Sequence, residues 1–192
     1  MDGISDDLRK YFPVIADFSE DNKIVLFSPV AKHFSRYNRD FTAKHLRALL
    51  DVCKFMHSKG IFHRDLRPSN LLMSNGHLLV NDFGCAVQAV TSDCFVQYRG
   101  SPYGVFPGEL NGNCHIPSRK TDLFQVFLVF AYFIYANELA RWIKIKIKTA
   151  ENFLGIFKEF AVVEEAFNLI DENEDDLYDA MFKLLEYHLR RG

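Results

Sequence analysis

His63-Arg64-Asp65-Leu66-Arg67-Pro68-Ser69-Asn70, followed by Asp82-Phe83-Gly84, is the stretch on which the fold turns. Between the two pieces lie Leu71-Leu72-Met73, then Ser74-Asn75-Gly76, then His77-Leu78-Leu79-Val80. A turn-forming Asn-Gly between two short apolar runs predicts a β-hairpin. The tripeptide alone says little. Joined to the octapeptide across a hairpin, it becomes a specific signature.

Upstream, Tyr11 to Phe18 and Lys23 to Phe27 flank the polar turn Ser19-Glu20-Asp21-Asn22, which predicts a second hairpin. Ser28-Pro29-Val30 then breaks the strand. Asp40-Phe41-Thr42 opens a helix with Asp40 or Thr42 as N-cap. Leu46, Leu49, Leu50, Cys53 and Met56 give that helix one apolar face, and Gly60 is its stop. Downstream, a long polar segment runs from Cys85 to Lys120. A strongly apolar helix starts near Thr121, and further helical stretches are predicted over roughly 137–143, 151–170 and 174–189. The acidic run Asp171 to Asp176 suits a helix N-terminus.

A chain of 192 residues is expected to form one domain with a sizeable core. Its nineteen Phe residues predict that this core is rich in aromatic rings. A net charge of -2 gives no electrostatic case for nucleic acid. Cys53, Cys85, Cys94 and Cys114 lack metal-ligand spacing, and with no signal-peptide pattern at Met1 to Asp7 they fit a reducing, cytoplasmic or nuclear setting rather than secretion. The apolar run Val126 to Ala136 is too short to cross a bilayer, which needs about 20 residues. The neighbouring Arg141, Lys144, Lys146 and Lys148 read as a solvated face, so membrane contact is not expected.

The octapeptide resembles the catalytic loop of eukaryotic protein kinases, H-R-D-L-x-P-x-N, and Asp82-Phe83-Gly84 resembles their metal-binding D-F-G. Gly100-Ser101-Pro102-Tyr103-Gly104-Val105-Phe106-Pro107-Gly108-Glu109 looks like the end of an activation segment, G-T-P-x-Y-x-A-P-E. Asp122 resembles the buried aspartate that starts the central helix and fastens the catalytic loop. The resemblance covers roughly residues 11 to 192. It implies an α+β, mainly helical fold: a protein kinase-like large lobe with a residual small-lobe β-hairpin. Residues 1–31 would be hairpin and hinge, and 32–192 the large lobe, with catalytic loop 63–70, activation segment 82–109 and central helix about 121–136.

The same resemblance implies the chemistry, transfer of the ATP γ-phosphoryl group to Ser/Thr hydroxyls of a protein substrate. Asp65 would orient the substrate hydroxyl and accept its proton, and Arg67 would place positive charge near the γ-phosphate. Asn70 and Asp82 would hold Mg2+. Leu72 would lie under the adenine, His63 and Phe83 would pack together, and Gly84 would let the backbone turn. Ser101 would line the substrate site. Thr91, Ser92, Tyr98 and Ser101 are hydroxyls open to regulatory phosphorylation, and Arg64 could pair with a phosphate there. Glu109 sits one residue late for the A-P-E glutamate, with Arg190 or Arg191 as candidate partners. Pro68 and the Gly100-Ser101-Pro102 run favour Ser/Thr over tyrosine specificity.

The family's G-x-G-x-x-G loop and its V-A-I-K lysine stand nowhere in the sequence. Two alternatives follow as expectations, a catalytically dead kinase-like scaffold and a truncated fragment of a longer kinase. A partner is expected to cover the face bearing Leu26, Phe27 and Leu72.

Overall fold

The computed structural model describes residues 6–19, 24–34, 41–89, 95–110, 113–146, 148–172 and 176–190. A one-turn helix α1 (Asp6–Arg9) leads into strands β1 (Val14–Ser19) and β2 (Ile24–Ser28). They pair antiparallel, with Val14 opposite Ser28 and a bulge between Ile15 and Asp17. The connecting turn expected at Glu20 to Asn22 lies outside the described residues, as does Asp40. Strand β3 (Lys32–His33) joins a separate three-stranded sheet described below.

Helix α2 (Ala43–Ser58) starts at Thr42, whose N–H donates to His45 Nδ1 at 3.1 Å. It buries Leu46, Leu49, Leu50, Val52, Cys53 and Met56, an i, i+3, i+4 face. Gly60, at φ 67°, takes the left-handed turn that ends it. Strand β4 (Ile61–Phe62) delivers the chain to the octapeptide. Beyond it, β5 (Leu71–Ser74) and β6 (His77–Val80) form the expected hairpin. Ser74 pairs with His77 and so belongs to the strand rather than to the turn. Asn75 and Gly76 both have positive φ, the demand of a two-residue turn whose twist matches the strands. β3 adds to β5 on its other edge.

The segment after Asp82 is held by two short pairings. β7 (Val87–Gln88) lies against β4, and β8 (Val96–Gln97) lies against β9 (Cys114–His115). Helix α3 (Arg119–Ile134) begins two residues earlier than the sequence suggests and ends two earlier. Leu123 to Ala131 are all buried, because α2 and the later helical segments Ala136–Lys144 and Ala161–Glu172 surround it. Helices α4 (Ala136–Lys144), α5 (Ala150–Phe157), α6 (Ala161–Glu172) and α7 (Leu177–Leu189) complete the lobe.

The predicted stretch 151–170 is two helices, not one. The break lets Phe153 and Phe157 point at α3 while Val163, Ala166 and Phe167 reach it from another side. Aromatic rings fill this centre: Phe153 lies 5.0 Å from Phe124 and 5.1 Å from Trp142, and Phe106 stacks on Phe167 at 4.8 Å. The basic patch is not a purely solvated face. Lys148 Nζ lies 4.4 Å from the Trp142 ring centroid, and burial there lowers its pKa. Of the acidic run, Asn173 to Asp175 lie outside the described residues, and Asp171 pairs with Lys120 at 2.7 Å.

Candidate active site

The octapeptide forms a loop between β4 and β5 that is fastened from below by α3. Asp122, fully buried in the first turn of α3, accepts the N–H of His63 at 2.8 Å and of Arg64 at 2.7 Å. His57 Nε2 adds a contact at 2.9 Å, and its Nδ1 meets the Tyr178 hydroxyl at 2.7 Å. Burial alone would raise the Asp122 pKa, but the His57 contact and these N–H donors hold it below the usual carboxylate value. Arg64 takes a left-handed φ of 68°, a conformation uncommon outside glycine. Its carbonyl is trapped between the Tyr98 hydroxyl at 2.9 Å and Gln125 Nε2 at 2.9 Å.

Asp65 is 7% exposed and faces the same clearing as Ser101. Its Oδ2 accepts Asn70 Nδ2 at 2.9 Å, and Nδ2 also donates to the Asp65 carbonyl at 2.9 Å. Arg67 Nε stands 3.3 Å from Oδ2 as a charge contact without hydrogen-bond alignment. Oδ1 accepts the Ser101 N–H at 3.2 Å, with the Ser101 hydroxyl at 3.5 Å. With both Asn70 amide protons directed at Asp65, the amide oxygen, met by the Ser69 hydroxyl at 3.4 Å, keeps a second lone pair for a ligand.

Asp82 lies in the left-handed region at φ 61°, and its Oδ1 accepts the Gly84 N–H. Phe83 packs on His63 at 4.9 Å and on Phe12 at 6.0 Å. Asn70, Asp82, Phe83 and Gly84 line a cavity of about 780 Å³, roofed by Ile15 and Phe27 of the first hairpin. That volume is in the range of small-molecule and cofactor sites. Leu72 is not among the residues lining it; it sits on β5 between His33 and Leu79. Among the described residues no group of three His, Cys, Asp or Glu side chains could hold a metal. Two oxygen donors from protein suit Mg2+, which keeps waters and phosphate oxygens as its other ligands.

Arg64 is buried, and its guanidinium reaches the carbonyls of Cys85 at 2.6 Å and Gln97 at 3.1 Å. Thr91 and Ser92, expected as its phosphate-bearing partners, lie outside the described residues. Tyr98 is not an open acceptor for phosphate: its hydroxyl is engaged by the carbonyls of Arg64 and Ser101, and burial raises its pKa. Glu109 accepts the hydroxyls of Ser118 and Thr121, both at 2.9 Å at their closest. Arg190 is therefore not its partner; it pairs with Glu186 at 2.7 Å, and Arg191 lies outside the described residues. Burial raises the Glu109 pKa.

Sequence reasoning missed Gln125. Its Oε1 accepts the Leu66 N–H at 2.7 Å while its Nε2 holds the Arg64 carbonyl. The available signal was a lone amide one turn after Asp122 in an otherwise apolar helix. It also missed Gly100, where a Cβ would sit 2.2 Å from the Arg64 carbonyl oxygen.

Asp65 meets Ser101 beside the cavity that Asn70 and Asp82 line, on an α+β lobe. A family model described as protein kinase domain matches residues 8–191, so the chain belongs to the protein kinase family. It is 33% identical over 105 residues to CBL-interacting protein kinase 8 of Oryza sativa subsp. japonica, covering 54% of this chain and 23% of that protein. It is 37% identical over 117 residues to CBL-interacting serine/threonine-protein kinase 19 of Arabidopsis thaliana, covering 57% of this chain and 24% of that protein. The chain spans about a quarter of the length of these curated relatives.

Proposed function

We propose that this chain transfers the γ-phosphoryl group of Mg-ATP to Ser or Thr hydroxyls of a protein. The observation that carries the reading is the Asp65 carboxylate, held from both oxygens by Asn70 and Ser101 and opening beside the cavity that Asn70 and Asp82 line. Bound Mg-ATP supplies the phosphoryl group and neutralises its charge. The chain's own residues do the rest. Asp65 orients the attacking hydroxyl and receives its proton; Arg67 offsets negative charge beside it. Asn70 and Asp82 are the ligands for the metal, and Phe83 on His63 keeps Asp82 aimed at the cavity. We assign residues 1–31 to the small-lobe side and the hinge, and 32–192 to the large lobe.

The exposed Val14, Ile15, Leu26 and Phe27 on the first hairpin suit a protein partner over that face. The relatives' names describe them as CBL-interacting, and the same kind of partner is a proposal for this chain. Among the described residues Cys53, Cys85 and Cys114 are free, and no helix is long and apolar enough to cross a membrane. A reducing, cytoplasmic or nuclear setting suits those thiols.

Calorimetric titration with ATP, with and without magnesium, tests the reading. Magnesium-dependent binding that disappears in Asp82→Ala is expected. Equal binding in both proteins, or none in a well-folded sample, would overturn it.

A further inference from the structure

The activation segment crosses the catalytic loop at Tyr98, a residue that no step of the proposed transfer uses. Tyr98 follows β8, where its N–H donates to the Asn113 carbonyl at 2.8 Å and its ring stands edge-on to His115 at 5.0 Å. Its hydroxyl lies 2.9 Å from the Arg64 carbonyl and 3.1 Å from the Ser101 carbonyl, so one proton serves both. The same oxygen accepts Gln125 Nε2 at 3.2 Å. Arg64 precedes Asp65 in the chain, and the Ser101 N–H donates to Asp65 Oδ1. One phenol oxygen, steadied from α3, therefore ties together the two backbone segments that bring Asp65 and Ser101 into contact.

The crossing is shaped for this ring. A Cβ at position 100 would stand 2.6 Å from the Tyr98 hydroxyl, so Gly100 is the residue that lets the phenol through. The neighbouring Arg64 guanidinium, 5% exposed, is occupied by neutral acceptors. Its Nε donates to the Cys85 carbonyl at 2.6 Å and its Nη1 to the Gln97 carbonyl at 3.1 Å, with His115 Nε2 at 3.5 Å from Nη1. Burial and that guanidinium press the His115 pKa down to about 4, which keeps the imidazole uncharged at neutral pH. Cys85 lies near the start of the segment and Gln97 in its second half, so one buried cation staples both to the loop. A phosphate group reaching Arg64 would have to displace these carbonyls.

We infer that Tyr98 is a positioning residue for the transfer: its hydroxyl locks the activation segment onto the catalytic loop, and the lock closes without phosphorylation of the segment. The inference rests on the kinase reading for what the lock positions. Tyr98 touches no reacting atom. It acts through the Ser101 and Arg64 backbones, which set where Asp65 meets an incoming hydroxyl, and small displacements there are costly in rate. Phenylalanine at 98 keeps the ring on His115 and removes only the hydroxyl. The Arg64 carbonyl then still has Gln125 Nε2, and the Ser101 carbonyl still has the Gly104 N–H at 2.8 Å, so the change isolates the lock from the packing.

The test uses the full chain, shown by mass spectrometry to carry no phosphate, and reads amide hydrogen exchange beside peptide phosphorylation. In the unphosphorylated parent the amides of Tyr98, Ser101 and Gly104 are expected to exchange slowly. In Tyr98→Phe they should exchange about tenfold faster at unchanged melting temperature. Turnover should fall about tenfold with ATP affinity unchanged. Thr91→Ala/Ser92→Ala should keep turnover within twofold of the parent. Exchange unaltered in Tyr98→Phe overturns the lock. Fast exchange in the unphosphorylated parent, or turnover that rises more than tenfold in Thr91→Glu or Ser92→Glu, overturns its independence of phosphate. The two readings fail separately: transfer with unaltered exchange removes the lock and leaves the kinase. Exchange that responds to Tyr98→Phe in a protein without any transfer removes the catalytic reading and leaves the lock.

Discussion

At the scale of single residues, the proposed chemistry rests on Asp65 and the local geometry on Gly100. Asp65→Asn keeps the shape but cannot take a proton, and its amide NH2 replaces one of the two oxygens that accept from Asn70 and Ser101. Its phosphotransfer rate should fall on the order of 10²- to 10⁴-fold, with ATP affinity unchanged, as a radiolabel assay paired with calorimetry would show. Unchanged turnover would remove Asp65 from the role of base. Gly100 lets the activation segment pass against the Arg64 carbonyl, where a methyl would stand at 2.2 Å. Gly100→Ala should push the two backbones apart. Limited proteolysis should then cut faster within 95–110, and turnover should drop while nucleotide affinity holds. The strained Arg64 backbone, φ 68°, survives because its N–H and its carbonyl are both tied down.

At the scale of elements, α3 is the beam to which the loop is bolted. Asp122 and Gln125, one turn apart, together receive three backbone N–H groups of the loop and grip one carbonyl. Asp122→Ala would leave two buried N–H donors and the Nε2 of His57 without a partner. A loss on the order of 3 kcal/mol is expected from the stranded donors, read as a lowered denaturation midpoint. Tyr178→Phe removes the hydroxyl that meets His57 and Arg119 and should cost about 1 kcal/mol. If both variants melted alike, the loop would be held by something other than Asp122. Element positions were largely legible: α2 from its apolar face and Gly60, the β5–β6 hairpin from Asn75-Gly76, α3 from its unbroken hydrophobicity. The 158–160 break between α5 and α6 was not. Both segments are apolar, and only the need to bring Phe153 and Phe167 to α3 from two directions separates them.

At the scale of the whole molecule, two buried histidines contribute to the pH response, and the raised Glu109 acts in the opposite sense. His115 is buried against the Arg64 guanidinium, and both burial and that charge press its pKa down to about 4. His63 is lowered in the same direction, chiefly by burial. Between the lowered folded pKa and the unfolded value near 6.5, the unfolded chain binds more protons than the folded one. Stability therefore rises with pH across that window and is lost as pH falls from about 6.5 towards 4. His115 alone accounts for about 3 kcal/mol of that change. Denaturant melts at pH 7 and pH 5 should show the loss, and His115→Phe should flatten it. A slope unchanged in His115→Phe would mean that His115 titrates normally. The first hairpin behaves differently from the helical lobe. It leaves Leu26 and Phe27 more than half exposed, so a partner seated there should protect Phe27 from solvent while the core around Phe124 stays unaffected.

The sequence by itself determined the family, the hairpins and most of the helices, and it put forward Asp65, Asn70 and Asp82 as the candidate site. These are local facts: motif spacing, period and turn chemistry operate over a few residues. What only the tertiary structure decided is long-range. Glu109 turns to Ser118 and Thr121 rather than to an arginine because α3 brings those hydroxyls to it. Gln125 and Tyr98 become the clamp on Arg64, and an apolar cavity opens behind Asp65 where the loop, the activation segment, α3 and α4 converge. Side chains as distant in sequence as Asp65 and Ile143 meet there, and no local pattern in the chain encodes which of them will touch.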